Sequence, residues 1–259
     1  MFAIISDIHS NLEALTAVLG DIRSRGIDEI ICLGDVVGYG PDPGKCLDVV
    51  SQNCREVLLG NHDWAVLYEP SRFNASAEAA SYWTRMELER EDDQAKIARR
   101  WKFLGEREIR FVKDAQHSRD YGCREMVFVH GSPRRPVNEY IFPDDIYNSA
   151  NKISATMERF SHLCFVGHTH VPGVFTESVD FYSPEDINDV FDISSAKALI
   201  NVGSVGQPRD RDPRGGYVIV EPDTISFVRV EYDWQKTRDK VLAKPALDDY
   251  LGTRLQEGR

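Results

Sequence analysis

Short apolar runs that break off into histidine, acidic or amide residues recur along the first 170 positions, and they limit the possible fold more than any other feature. Phe2–Ser6 leads into Asp7-Ile8-His9, Glu29–Leu33 into Gly34-Asp35, and Glu56–Leu59 into Gly60-Asn61-His62-Asp63. Met126–Val129 leads into His130-Gly131, and Leu163–Val166 into Gly167-His168-Thr169-His170. Runs this short and this apolar, bounded by turn-forming residues, read as buried strands. Between the first two, Leu12, Leu15, Val18, Leu19 and Ile22 recur at helical spacing. Ser10 with Glu13 fits a capping box at the start of that helix, and Gly26 fits a glycine stop after it. A helix over 42–53 and the strand at 56–59 extend the alternation. The first 60 residues therefore predict an α/β sheet with helices on its faces.

From about 64 to 115 the pattern turns into helix-favouring sequence with a near-balanced mix of basic and acidic side chains. It predicts a solvated helical insert, anchored by Trp83, Trp101, Phe103, Leu104, Phe111 and Val112. An insert of this length can serve as a lid that sets substrate selectivity or as a dimer surface, so the reading leaves both a monomer and a homo-oligomer open. A helix over 143–160 separates the fourth and fifth strands. Val174–Thr176, Ala198–Val202, Tyr217–Val220 and Ile225–Val230 then predict an antiparallel run of short strands. With no repeat and no linker of shifted composition, the expectation is one domain over 1–259 with two joined sheets.

Charge narrows the partners. Lys and Arg number 31 against 42 Asp and Glu, a net charge of −11, which disfavours a phosphate backbone as ligand. No apolar run approaches the roughly 18 residues of a membrane span, and the N-terminal residues lack the pattern of a signal peptide. The expectation is a cytoplasmic protein without membrane association. Cys32, Cys46, Cys54, Cys123 and Cys164 form no C-x-x-C pair, so they read as reduced structural cysteines and not as a thiolate metal site.

Five of the seven histidines (His9, His62, His130, His168 and His170) lie at the strand ends. Ligands collect beyond the carboxyl ends of strands in open α/β sheets, so these segments are expected to converge. Residues two apart on an extended segment project to one side, which would let Asp7 join His9 and His168 join His170. Imidazole and carboxylate donors without thiolates suit Mn, Fe, Zn, Ni or Co, and a carboxylate such as Asp35 can give one oxygen to each of two ions. Two ions about 3.5–4 Å apart would clamp both oxygens of a phosphoryl displacement. His117 and His162 have no partner at such spacing and read as surface histidines outside the site.

This ordered set of D-x-H, G-D, G-N-H-D, H-G and G-H-x-H resembles the calcineurin-like metallophosphoesterase superfamily. Asn201-Val202-Gly203-Ser204-Val205-Gly206-Gln207-Pro208-Arg209-Asp210 looks like the matching segment of its small prokaryotic phosphodiesterase-like members. The resemblance implies a four-layer α/β/β/α sandwich of two mixed sheets flanked by helices. It implies a first metal ion on Asp7, His9 and His170, a second on Asn61, His130 and His168, and Asp35 between them. His62 would stand free of the metals and meet the leaving oxygen, while a hydroxide between the ions attacks phosphorus.

Protein phosphatases of the family carry Asp-Arg soon after the Gly-Asp and Glu after the Asn-His. Here Val36-Val37-Gly38 and Asp63 stand there instead, which favours the phosphodiesterase-like branch. Arg209 is a candidate phosphate contact, the alternative being an ion pair with Asp210 or Asp212. The expected function is hydrolysis of a small phosphodiester with two divalent transition-metal ions. The alternatives are a phosphomonoesterase or protein phosphatase, a nuclease, which the acidic balance opposes, and a non-catalytic scaffold, which the complete ligand set opposes.

Overall fold

A computed structural model describes residues 1–71, 73–107, 112–122, 125–194 and 197–259. The expected anchor Phe111, the cysteine Cys123 and part of the expected insert lie outside them. In chain order the strands are β1 (Phe2–Ile5), β2 (Ile30–Cys32), β3 (Glu56–Val57), β4 (Val112–Lys113), β5 (Met126–Phe128), β6 (Leu163–Val166), β7 (Gly173–Thr176), β8 (Phe181–Tyr182), β9 (Val190–Asp192), β10 (Ala198–Asn201), β11 (Gly215–Val220) and β12 (Thr224–Val230). The helices are α1 (Leu12–Ser24), α2 (Pro43–Asn53), α3 (Asn61–Leu67), α4 (Ala75–Leu88), α5 (Gln94–Gly105), α6 (Ala115–Asp120), α7 (Asp145–Asn148), α8 (Ala150–Met157), α9 (Trp234–Leu242) and α10 (Asp249–Thr253).

Among the described residues the strands form two mixed six-stranded sheets, ordered β3-β2-β1-β11-β12-β9 and β4-β5-β6-β10-β7-β8. Alternate side chains of β1 show why they stack. Phe2 and Ile4 join Met126, Phe128, Phe165 and Val218 in the core between the sheets. Ala3 and Ile5 face the other way, into a core with Leu15, Val18 and Ile22 of α1 and Leu47 and Val50 of α2. On the far side, Val127 and Val129 meet Ile153 and Met157 of α8. Helix, sheet, sheet and helix thus form four layers, and at roughly 1.5–3 kcal/mol per buried large apolar side chain these three cores dominate the folding energy.

Several expectations change. The helix cap is Asn11, whose side chain accepts from the Ala14 amide; Ser10 has left-handed backbone and does not cap. Gly26, with φ 71°, does follow the helix as expected. The four late strands do not form one antiparallel run: β7 and β10 lie in one sheet, β11 and β12 in the other, and β10 runs parallel to β6. The helix expected over 143–160 is two, α7 and α8, meeting at Ser149. The region expected as a helical insert holds α3, α4, α5 and the strand β4. Trp83 packs with Val241, Leu247 and Leu251 of the C-terminal segment, while Trp101, Phe103 and Leu104 reach the α1 core and Val112 the core between the sheets, as expected of anchors. Strands β8 and β9 and helices α9 and α10 had no reading from sequence.

His117 and His162 are each 3% exposed and so are not surface histidines. His117 Nδ1 lies 2.7 Å from Asp114 Oδ2, and the ring packs on Phe2. No helix among the described residues is long and apolar enough to cross a membrane.

Candidate metal centre

The loops after β1, β2, β5 and β6 and the start of α3 meet at one end of the two sheets. Main-chain hydrogen bonds lace them together: Asp7 N donates to Gly34 O, His9 N to Asp35 O, and Gly167 N to His130 O. The convergence is not the extended i, i+2 geometry expected. Asp7, His9, Asp35, His168 and His170 all have φ between 48° and 67°. Asp and His tolerate this left-handed region better than most side chains, though each such residue stores backbone strain that the surroundings must hold.

Gly60 stands where a Cβ would collide with Asp35 Oδ1, so only glycine lets the α3 loop close on Asp35. With Gly60 as the N-cap, Asn61 and His62 occupy the first turn of α3. The main-chain N–H of His62 donates to Asp35 Oδ1 at 2.8 Å. Asp63 accepts from the Val37 and Gly60 amides at 3.0 and 3.1 Å. Burial, and then the charge of Asp35, push the Asp63 carboxyl up to about 7 in spite of these bonds.

Three groups of donor atoms lie within 4.8 Å of one another: Asp7, His9 and His170; His9, Asp35 and His62; Asp35, His130 and His168. The first brings together the three residues expected around one ion, and the third brings Asp35 beside His130 and His168, two of those expected around the other. Asn61 Oδ1 adds to the third, 3.2 Å from His130 Nε2. Asp35 Oδ2 lies 3.6 Å from His9 Nε2 and 3.4 Å from His130 Nε2. His62, expected to stand apart from the ligands, lies within reach of His9 and Asp35.

The donor set fits divalent cations. His9 Nδ1 faces Val37 O at 3.3 Å, His130 Nδ1 faces Leu33 O at 3.1 Å, and His170 Nδ1 faces Gln207 O at 2.6 Å. A carbonyl can only accept, so each Nδ1 carries the proton and each Nε2 presents a lone pair in the neutral ring. Yet His9 Nε2 and His170 Nε2 are 3.1 Å apart, lone pair to lone pair. Among the described residues, His168 Nε2 and Asp7 Oδ1 are buried without a hydrogen-bond partner. Such a cluster is costly unless positive charge sits among the donors.

Electrostatics agrees. Burial alone would raise the pKa of Asp7 and Asp35, but the surrounding imidazoles hold both well below the carboxylate range. Burial depresses His130, yet Asp35 and Asp7 outweigh it and bring that ring up to about 9. His168 falls to about 3 and His62 to about 4, mainly through burial.

Residues that sequence reasoning passed over back the centre. Ser204 Oγ donates to Asp7 O at 2.7 Å and accepts from Gln207 N at 2.8 Å. Asn201 Nδ2 donates to Gly167 O at 2.9 Å and to Thr169 Oγ1 at 2.5 Å, fixing the turn between His168 and His170. Their position in the Asn201–Asp210 segment was the available signal. Aromatic rings line the approach: Tyr39 and Phe73 lie 4.2 and 4.6 Å from the His62 ring, and Tyr140 stacks on His168 at 3.8 Å. Nothing in the sequence pattern marked these rings.

Arg209 is not in the surface pairs considered for it. Asp210 pairs with Arg229, and Asp212 with Arg214. The Arg209 guanidinium instead donates to Gln207 Oε1 at 2.7 and 3.3 Å and stands over the Tyr39 ring, 5.9 Å from its centroid.

Comparison with known proteins follows this geometry. The model of the calcineurin-like phosphoesterase superfamily domain matches residues 1–224. An uncharacterized protein of Methanocaldococcus jannaschii is 38% identical over 268 aligned positions, covering 100% of this chain and 98% of the relative. The crystal structure of a metallophosphoesterase from Sphaerobacter thermophilus superposes with a TM-score of 0.80 at 39% identity, covering 100% of this chain and 98% of the other. A hypothetical protein from Pyrococcus horikoshii shares the fold, with a TM-score of 0.74 at 19% identity over 100% and 98% of the two chains.

Proposed function

Because the chain belongs to the calcineurin-like phosphoesterase superfamily, we propose that it hydrolyses a small phosphodiester at a pair of divalent transition-metal ions. The observation that carries this reading is Asp35 Oδ2, 3.6 Å from His9 Nε2 and 3.4 Å from His130 Nε2. One carboxylate oxygen aimed between two histidine clusters is what a bridging ligand offers. Asp7, His9 and His170 would hold one ion, and Asn61, His130 and His168 the other. Manganese is the ion proposed for this nitrogen and oxygen donor set. When bound, the ions would offset the charge of the phosphoester and lower the pKa of a bound water from about 15.7 towards 7.

The chain's own residues supply the remainder. His62 Nδ1 is buried with no hydrogen-bond partner among the described residues, and Nε2 would be the atom that meets a substrate oxygen. Burial keeps the free ring neutral, and the negative charge of an arriving phosphoester works in the opposite sense, favouring a proton on Nε2 that can pass to the leaving oxygen. Arg209, with no side-chain carboxylate partner among the described residues, would hold a non-bridging phosphoryl oxygen. Tyr39, Phe73 and Tyr140 exclude water around the reacting ester. The diester preference rests on Val36-Val37-Gly38 and Asp63 standing where the protein phosphatases carry Arg and Glu.

The test is hydrolysis of bis(p-nitrophenyl) phosphate beside p-nitrophenyl phosphate, with and without Mn²⁺, in the wild type and His62→Ala. Metal-dependent turnover, faster on the diester and dependent on His62, is expected. Faster monoester turnover makes the protein a phosphomonoesterase, and no turnover of either ester above the His62→Ala background overturns the reading.

A further inference from the structure

The connection from β5 to α7 runs through Val137-Asn138-Glu139-Tyr140-Ile141-Phe142, and its last three side chains sort by position. Ile141 is 2% exposed and packs into the α8 core with Val129 and Ile153. Tyr140 and Phe142 flank it and lie open to solvent, 40% and 46% exposed. Their rings are 5.3 Å apart, with only 4° between the planes. The main chain fixes this pair. Phe142 N donates to Asp145 Oδ2 at 2.7 Å, Asp145 N donates to Phe142 O at 3.0 Å, and Lys152 Nζ holds the same carboxylate at 2.5 Å.

The inner end of this ledge is the candidate metal centre. The Tyr140 ring stacks on His168 with 3.8 Å between centroids and 25° between planes. His168 is the donor grouped with Asp35 and His130. Stacked rings therefore run from His168 through Tyr140 to Phe142. Phenylalanine has no polar atom to keep in water, and among the described residues no other phenylalanine is exposed. Single exposed apolar residues are common, but two parallel rings, held in place and joined to a donor cluster, form a surface that fits a further planar ring.

Resting on the phosphoesterase reading above, we propose that Tyr140 and Phe142 are specificity-determining residues that stack a planar aromatic group of the substrate. His62, which would meet the leaving oxygen, is grouped with His9 and Asp35, whereas the ledge adjoins His168 in another donor group. The stacked group is therefore the one that stays on phosphorus. The substrate class is a phosphodiester whose retained ester group carries a planar aromatic ring, and the product is the phosphomonoester of that group.

Binding separates this proposal from the reading it rests on. The probes are phenethylphosphonate and ethylphosphonate, which share one arm, differ by the ring and have no ester bond to cleave. Each is titrated calorimetrically into Mn²⁺-saturated protein. The wild type is expected to bind the aromatic probe at least about fivefold more tightly. Replacing both rings, Tyr140→Ala with Phe142→Ala, brings that ratio to about one to two, and because both side chains are exposed their loss opens no core cavity. Tyr140→Phe, which keeps the ring, retains the ratio. Tyr147→Ala, which removes an aromatic side chain 83% exposed on α7, leaves it at the wild-type value. A wild-type ratio near one, a ratio that survives the double replacement, or one that falls equally in Tyr140→Phe or Tyr147→Ala overturns the proposal. The ratio decides the role of the ledge whether or not the protein hydrolyses bis(p-nitrophenyl) phosphate, and that hydrolysis alone decides the phosphoesterase reading.

Discussion

Asp35 Oδ1 accepts the main-chain N–H of His62 at 2.8 Å, while Asp35 Oδ2 faces the imidazoles of His9 and His130. One carboxylate therefore positions the catalytic candidate and addresses both donor clusters. Asp35→Asn puts a neutral group there, and if the amide nitrogen turns inward it meets two imidazole lone pairs. The expected result is loss of at least one of two bound Mn²⁺ ions by elemental analysis, with kcat/KM for bis(p-nitrophenyl) phosphate down by about a hundredfold or more.

His62→Ala tests the complementary role. Its main-chain N–H still reaches Asp35, so the metal content is expected to hold while kcat falls about 10²–10⁴-fold, the usual span for removing a general acid. Elemental analysis beside steady-state kinetics checks both halves. Metal loss equal to that of Asp35→Asn would instead make His62 a ligand.

Ser204→Ala removes the hydroxyl that links Asp7 O to Gln207 N. Gln207 O in turn receives His170 Nδ1, so the substitution loosens a ligand from two residues away. Metal affinity is expected to fall about 10–100-fold, and unfolding free energy by about 1–3 kcal/mol because a buried donor and acceptor lose their partner. A Mn²⁺ titration and a urea melt of the metal-free protein separate these effects.

Gly60→Ala places a methyl group against Asp35 Oδ1. The loop or the carboxylate must move, at a cost of about 1–3 kcal/mol. A lowered Tm together with lost metal binding is expected. An unchanged Tm with normal metal content would show that the α3 loop relaxes freely.

Lys240 ties α9 to both Glu13 and Asp42, with Nζ 2.6 Å from each. Burial opposes ionisation of the two carboxyls, but the hydrogen bond and charge of Lys240 prevail and lower both pKa values from 4.5 and 3.8. Folded pKa values below the unfolded ones mean stability that is present above about pH 4.5 and lost as pH falls through the lowered values. Lys240→Met is therefore expected to cost about 1–3 kcal/mol at pH 7, with the difference from the wild type shrinking as the pH falls below about 4, as read from urea denaturation across that range.

The strand ends and their donors were legible because both signals are local. Apolar runs such as Ile30–Cys32 and Leu163–Val166 declare their burial within a few residues, and Asp, Asn and His gathered after five such runs mark a shared edge. The sheet partition was not legible. Ala198–Asn201 reads alike beside any partner, and only its parallel pairing with β6 places it in the second sheet. The same holds for Tyr39, Phe73 and Tyr140, whose aromatic character is compatible with any packed position until the fold sets them against His62 and His168.

Hydrophobic period and residue chemistry, both written residue by residue, were enough to read the α/β class and the order of the motifs, and to gather Asp7, His9, Asp35, Asn61, His62, His130, His168 and His170 at one edge as candidate donors. Tertiary structure alone decided that Asp7, His9, Asp35, His168 and His170 come together through left-handed backbone, and that Ser204 and Gln207 stand behind them. Those relationships join positions tens to hundreds of residues apart. They arise from packing and hydrogen bonds between surfaces, which no local stretch of sequence encodes.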